Sequence, residues 1–215
     1  LYLGQPGKRL RTVPSRLRWR TLGYFFLLGI AFLFLEIAFI QKFIQFLSHP
    51  LYAIAVVLAA FLIFAGLGSA WSRRLLQLRS IADSGRRLLL GAAAAIASLS
   101  LLYLALLPSL FADLMVLPDP AKICVTALLI APLAFAMGLP FPIGLARLNA
   151  LAPPLIPWAW AINGCASVIS AVLATLLAME IGVSGVLLLA VLLYGAAARL
   201  LPPASHALPR GMTGP

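Results

Sequence analysis

The sequence predicts an all-α membrane protein, a polytopic bundle of six transmembrane helices with both termini on the cytoplasmic side. Three observations lead to this fold class. Of the 215 residues, 63% are hydrophobic and 10% are charged, whereas soluble domains carry about 25% charged residues. Six segments are apolar over about 20 residues, the length of helix that crosses the hydrocarbon core of a bilayer. Lys and Arg residues cluster at alternate ends of these segments, as the positive-inside rule requires.

The six predicted spans form one transmembrane domain with two cytoplasmic ends. The domain covers 22–201, follows a basic segment at 1–21 and precedes a tail at 202–215 that is expected to be disordered. In chain order the spans are about 22–47, 51–71, 87–107, 121–146, 156–179 and 183–201.

Basic residues, proline or glycine bound each span. The second span begins after Pro50 and stops at the sequence WSRR. The third begins after Arg87 and ends at Pro108, and the fourth lies between Pro120 and Arg147. Proline and charged residues are typical of helix ends near the membrane surface, so these boundaries support the division into spans.

The basic residues also set the orientation. Of the sixteen Lys and Arg residues, only Lys42 and Lys122 fall on the outer side when the N-terminus is placed in the cytoplasm. The four tryptophans then lie at cytoplasmic ends, where interfacial aromatic residues anchor helices. Topology and attraction to anionic lipids at the cytoplasmic face therefore account for the net charge of +11. This distribution argues against nucleic acid as a partner.

Glu36 stands near the middle of the first span, within FLFLEIAFIQKF. A charge at the bilayer centre costs about 2.5–3.5 kcal/mol on insertion scales, so such residues face protein or a water-filled cavity. Two functional roles fit, a proton carrier or a countercharge for a cationic substrate. The structural alternative is a protonated carboxyl that hydrogen-bonds to a neighbouring helix.

A second polar group lies at the outer end of the same span, opposite to Glu36 on the helix. It consists of Gln41, Lys42, Gln45 and His49. One interpretation is an amphipathic helix end with Lys42 reaching the outer headgroups. The other interpretation is the polar mouth of a cavity between helices. On either one, Glu36 and Lys42 are not expected to form an ion pair.

Small and polar residues form one stripe along the fifth span. Asn163, Ser167, Ser170 and Ala174 recur at i, i+4, i+7 and i+11, which keeps them on one helix face. Such stripes are typical of closely packed membrane helices, so Ser167, Ser170 and Ala174 predict a packing face. Asn163 is the best candidate for a hydrogen bond to Glu36 from another helix.

The fourth span contains a helix break at Gly138, Pro140 and Pro142. The two prolines remove backbone donors two residues apart, so the span is expected to kink or unwind there. Carbonyls freed at membrane depth must be satisfied by protein or water, and transporters use such carbonyls to bind ions. The alternative is a kink that only ends the helix before Arg147.

Three blocks of the sequence are distinctive: LEIAFIQKF with the following HPLYA, then MGLPFPIGLARL, then IPWAWAINGCASVISAVLA. Together they resemble the membrane portion of bacterial fused major facilitator/spermidine synthase-like proteins. The resemblance implies a six-helix domain similar to a major-facilitator half-domain, in a bacterial inner membrane, attached to a Rossmann-like aminopropyltransferase domain. This chain has no G-x-G-x-G turn after a strand and only five acidic residues, so the catalytic residues of such a domain are not carried over to it.

These observations favour a membrane module that binds or moves a small cationic molecule, with a second copy, missing chain or a larger complex as partner. The alternative is a non-catalytic accessory or anchor subunit packed in a larger membrane complex. An enzyme is least favoured, because the sequence shows no nucleophile–base pair. No cofactor or metal is expected, since no Cys/His cluster has metal-ligand spacing.

Overall fold

The computed structural model describes residues 13–78 and 81–202, and every regular element within these ranges is helical. The helices are α1 (Ser15–Leu47), α2 (Pro50–Leu78), α3 (Ile81–Leu114), α4 (Asp119–Met137), α5 (Pro140–Leu151) and α6 (Ile156–Leu200), with a 3₁₀ turn at Pro153–Leu155. The predicted all-α class is confirmed. The expected tail and most of the basic N-terminal segment fall on residues outside the described ranges.

Five stretches of the described chain are long and apolar enough to cross a membrane. The first three are α1, α2 and α3, and α4 together with α5 forms the fourth. The fifth covers the 3₁₀ turn and all of α6, within which the sequence analysis expected two spans. Length and composition of these helices indicate a membrane protein.

The first helix, α1, forms the centre of the bundle. It packs against α2, α4, α5 and α6, and large side chains on several of its sides, such as Phe25, Phe34 and Phe39, are at most 1% exposed. A helix that is apolar all round is stable only when other helices surround it or when lipid does. Because α1 is the surrounded helix, Glu36 sits in the interior of the bundle.

The last helix, α6, reverses direction at Gly182. This residue has φ 76° and ψ 161°, a backbone conformation that essentially only glycine adopts. On α1, Gly23 packs against Leu200 and Gly29 packs against Asn163. An unbroken helix would separate Asn163 from Leu200 by about 55 Å, whereas Gly23 and Gly29 are only about 9 Å apart. The two halves of α6 therefore fold back on each other and both lie along α1.

Arg20 ties the start of α1 to the end of α6. Its guanidinium donates hydrogen bonds to the backbone carbonyls of Arg199, Leu200 and Leu201, at 3.2, 3.4 and 3.3 Å. The last carbonyls of a helix lack partners within the helix and carry partial negative charge, so a cation stabilises them. The beginning of the first helix and the end of the last one thus lie at the same end of the bundle.

The break expected at Gly138 and Pro140 lies between α4 and α5, where it is a kink and not an unwound segment. Gly138 keeps helical angles, and its N–H bonds to the carbonyl of Ala134 at 3.0 Å. The N–H of Leu139 bonds three residues back to the carbonyl of Ala136 at 3.2 Å, because Pro140 has no N–H to take that acceptor. The chain therefore turns tightly and begins α5 at Pro140.

Candidate functional site

A cavity of about 450 Å³ lies inside the bundle beside the α4–α5 kink. Residues of α1, α2, α4, α5 and both halves of α6 line it. Its walls are mainly apolar, and the polar side chains that line it are Ser69, Asn163, Ser167 and Tyr194. The cavity therefore brings together the predicted break, Asn163 and Ser167, which are far apart in the sequence.

Two close helix crossings create this space. A Cβ on Gly68 of α2 would overlap the carbonyl oxygen of Phe135, and a Cβ on Gly138 would overlap that of Ala65, so α2 and α4 meet backbone to backbone. A Cβ on Gly29 of α1 would come within 2.6 Å of the Asn163 carbonyl oxygen. Because α2 packs on α4 while α6 packs on α1, and α2 and α6 hardly touch, a gap remains between α2 and α6.

The kink leaves one backbone carbonyl without its helical donor. Pro142 has no N–H, so the carbonyl of Gly138 loses its helical donor four residues on, and no backbone N–H in the described chain bonds to it instead. The carbonyl of Pro140 accepts a hydrogen bond of 2.6 Å from the buried hydroxyl of Tyr24. Gly138 and Pro140 both line the cavity. Of the two carbonyls at the kink, that of Pro140 is thus bonded to α1, and that of Gly138 accepts no backbone hydrogen bond within the described chain.

Glu36 is buried one helical turn beyond the cavity. Its side chain is 4% exposed, and its Oε1 atom has no hydrogen-bond partner among the described residues. It shares a face of α1 with Gly29 and Phe32, which line the cavity, and lies about 10 Å along the axis from Gly29. Glu36 itself does not line the cavity.

Tyr194 lines the cavity and is 3% exposed. Since Leu200 contacts Gly23 of α1, Tyr194, six residues earlier on the reversed half of α6, lies at about the level of Gly29. Side chains on a helix lean toward its N-terminus, so Glu36 on α1 and Tyr194 on the reversed half of α6 lean toward each other. Sequence reasoning missed Tyr194. The available signal was a tyrosine inside a predicted span, away from the membrane interfaces where tyrosines concentrate.

Asn163 does not pair with Glu36, contrary to the sequence-based expectation. Trp158 shares a small cavity with Trp19, and Asn163 lies beside Gly29, so the first half of α6 runs in the same direction as α1. Asn163 is therefore level with a residue of α1 that comes seven positions before Glu36. The Asn163 Oδ1 is 3.2 Å from the position of a Cβ on Gly29. The register of the two helices, which no local pattern encodes, separates the two polar groups.

The predicted packing face of α6 is buried. Ser170 and Ala174 are 0% exposed, and Ser167 is half-buried beside the cavity. The hydroxyls of Ser167 and Ser170 donate to carbonyls of their own helix, at 2.9 and 3.0 Å, and do not cross to a neighbouring helix. Such back-bonding is common for serine inside helices, so this face packs closely because its side chains are small.

The outer polar group does not reach this cavity. Gln41 and Lys42 are half-buried, Gln45 and His49 are exposed, and none of the four lines the cavity beside the kink. His49 lines a different cavity of about 370 Å³ with Tyr52 and Asp119. Glu36 lines neither of these two cavities.

No group of three or more His, Cys, Asp and Glu side chains in the described ranges is arranged to hold a metal ion. Comparison with known proteins finds no family model, no curated protein and no solved structure that matches this chain. The geometry of the cavity and of Glu36 is therefore the basis for a functional assignment.

Proposed function

We propose that this chain is an integral membrane module that binds a small cation in the cavity beside the kink and moves it with Glu36 as countercharge. The observation that carries this proposal is the carboxyl of Glu36, which is 4% exposed and has an Oε1 without a hydrogen-bond partner in the described chain. A buried polar group without a partner is costly, and a cation nearby would offset that cost.

The cavity's own groups suit a cation. Among the residues that the structure describes, no Lys, Arg or His side chain lines it, while the carbonyl of Gly138 and the oxygens of Asn163 and Tyr194 are acceptors for a cationic donor. An anion in this space would meet hydrogen-bond acceptors instead of donors, and the carboxylate of Glu36, about one helical turn beyond the cavity, would repel it.

The topology that goes with this function is six crossings with both termini in the cytoplasm, in a bacterial inner membrane. The reversal at Gly182 supports six crossings, since it turns α6 into two antiparallel halves. The contact between Arg20 and the end of α6 supports placing both termini on one side. A six-helix unit of this kind resembles half of a major-facilitator transporter, so the partner is a second copy, further chain or a larger complex, with anionic lipids at the cytoplasmic face.

Flux in liposomes tests the proposal. The purified chain is reconstituted, and uptake of methylammonium and of protons is measured for the wild type, Glu36→Gln and Glu180→Gln. Glu36→Gln is expected to lower flux to the level of protein-free liposomes, because the amide carries no countercharge. Glu180, whose side chain is exposed at the far end of the same bundle, is the matched control and its substitution should leave flux unchanged. Equal flux in wild type and Glu36→Gln would refute the proposal.

One observation favours the accessory-subunit alternative. Glu36 does not line the cavity and is almost completely buried, which suits a carboxyl enclosed in dry packing. On this alternative neither protein carries flux, and Glu36→Gln changes only the free energy of unfolding or loosens a complex that co-purifies with the chain. The same set of variants therefore separates the two functions.

A further inference from the structure

We propose that the ligand of this cavity is an amphipathic organic cation, an ammonium group on an apolar body, which enters sideways from the bilayer between α2 and α6. This inference rests on the proposed function and adds to it the chemical class of the ligand and the route by which it arrives.

The size of the cavity excludes a bare metal ion as its only occupant. A volume of about 450 Å³ is many times the ~30 Å³ share of one water molecule, and it falls in the range typical of small-molecule sites. Most of the lining is apolar, with residues such as Leu28, Phe32 and Met137. A ligand that fills this space without leaving voids therefore has an apolar body.

The opening of the cavity lies on the side of the bundle and not at its end. On α2, Leu62 is 67% exposed and lines the cavity, and a Cβ on Gly66 would meet nothing within 4 Å. Leu62 and Gly66 are also one helical turn apart on the same face, and α6 hardly touches α2 across this gap. At the depth of a spanning helix such a gap faces lipid tails, so a ligand that enters there partitions into the bilayer first.

The polar groups of α6 lie on the side of the cavity where that helix packs on α1. Asn163 packs on Gly29, and Tyr194, on the reversed half of α6, leans toward Glu36. An ammonium group has only donors and needs acceptors, which the Asn163 and Tyr194 oxygens supply, and Glu36 beyond Tyr194 supplies the opposite charge. The apolar body then extends toward Leu62 and the lateral opening. A neutral alcohol of equal length would lack the attraction to Glu36.

Binding of hexylammonium to the chain in lipid nanodiscs tests this inference, with hexanol and methylammonium as comparison probes and empty nanodiscs to subtract partitioning into lipid. Hexylammonium is expected to bind about tenfold or more tightly than hexanol, which lacks the charged group, and than methylammonium, which lacks the apolar body. Trp160 packs on Phe141, which lines the cavity, so tryptophan fluorescence reports occupancy.

Two variants test whether hexylammonium binds in this cavity. Gly66→Leu puts a side chain into the lateral opening, where there is room for it, and is expected to weaken hexylammonium binding by about tenfold or more. Gly91→Leu, on α3, has equal room around its Cβ and does not line the cavity, so it should bind as the wild type does. Thermal unfolding of both variants checks that they fold.

The outcomes distinguish this inference from the proposed function. If hexylammonium binds no more tightly than hexanol, or if Gly66→Leu binds as well as Gly91→Leu, the inference about the ligand class or its route is wrong. Methylammonium flux that still depends on Glu36 would then leave the proposed function standing. Loss of both binding and flux would overturn both.

Discussion

The close crossing of α2 and α4 predicts that two glycines only two residues apart respond oppositely to the same substitution. Gly68 faces α4, where a Cβ would overlap the carbonyl oxygen of Phe135 and lie 3.2 Å from its Cα. Gly66 faces the lateral opening, and a Cβ there would meet nothing within 4 Å. Both are in the interior of the same helix, so Gly68→Ala and Gly66→Ala share the same change in helix propensity.

The size of the change in the free energy of unfolding depends on which atoms must move to make room for the new Cβ. Alanine gains about 1 kcal/mol over glycine in a helix interior, and Gly66→Ala should show that gain. In Gly68→Ala the obstacle is backbone and not a side chain that rotates away, so the helices must separate by about 1 Å, which forfeits up to half of each dispersion contact. Overpacking of this kind costs about 1–3 kcal/mol, and packing is the main force between membrane helices. The two free energies of unfolding should therefore differ by about 1–3 kcal/mol.

Reversible unfolding in mixed micelles, followed by circular dichroism for the wild type and both variants, measures this difference. Gly138→Ala provides a second test of the same crossing, because its Cβ would overlap the Ala65 carbonyl oxygen from the other side. Equal free energies of unfolding for Gly68→Ala and Gly66→Ala would show that α2 and α4 do not meet backbone to backbone, and the account of how the cavity forms would fail.

The conformation of Gly182 and the hydrogen bonds of Tyr24 and Arg20 give three further predictions. Gly182→Ala should lower the free energy of unfolding by about 1–3 kcal/mol, since φ 76° with ψ 161° is strained for any residue with a Cβ; an unfolding curve that matches the wild type would refute the reversal there. Tyr24→Phe removes the donor to the buried Pro140 carbonyl and should lower the free energy of unfolding by about 1–3 kcal/mol. Tyr52→Phe is the control: it removes a hydroxyl from a side chain that is 61% exposed and should leave the free energy of unfolding unchanged. Arg20→Lys should raise the rate of amide hydrogen exchange in the last turn of α6, because an ammonium group cannot bond to three carbonyls as the guanidinium does. An unchanged exchange rate there would show that these hydrogen bonds do not stabilise the end of α6.

Local chemistry explains why parts of the candidate site were predictable. Pro140 and Pro142 lack N–H groups wherever the chain folds, so the break followed from their positions alone. Glu36 was singled out because a carboxyl inside an apolar span is unusual in any arrangement of helices. The side-chain period of a helix also predicts that Glu36 and the outer polar group that begins at Gln41 lie on opposite faces of α1.

The contacts between helices were not predictable in the same way. The stripe containing Asn163 indicated that this face packs, yet it did not say at which level of α1 it packs, and Asn163 came to lie beside Gly29 instead of Glu36. The place of Tyr194 was not predictable because it depends on the reversal at Gly182, which brings this side chain to the cavity.

The sequence by itself determined that this protein is all-helical, that its helices are long and apolar enough to cross a membrane, that a break lies in the fourth span, and that a carboxyl lies near the middle of the first. These properties follow from hydropathy and from covalent constraints on single residues, which act over a few neighbours along the chain. Only the tertiary structure decided that α1 is the central helix, that Gly68 and Gly29 mark the crossings, and that a cavity opens between α2 and α6. Those features depend on helix register and close packing, which arise from the fit of surfaces distant in the sequence.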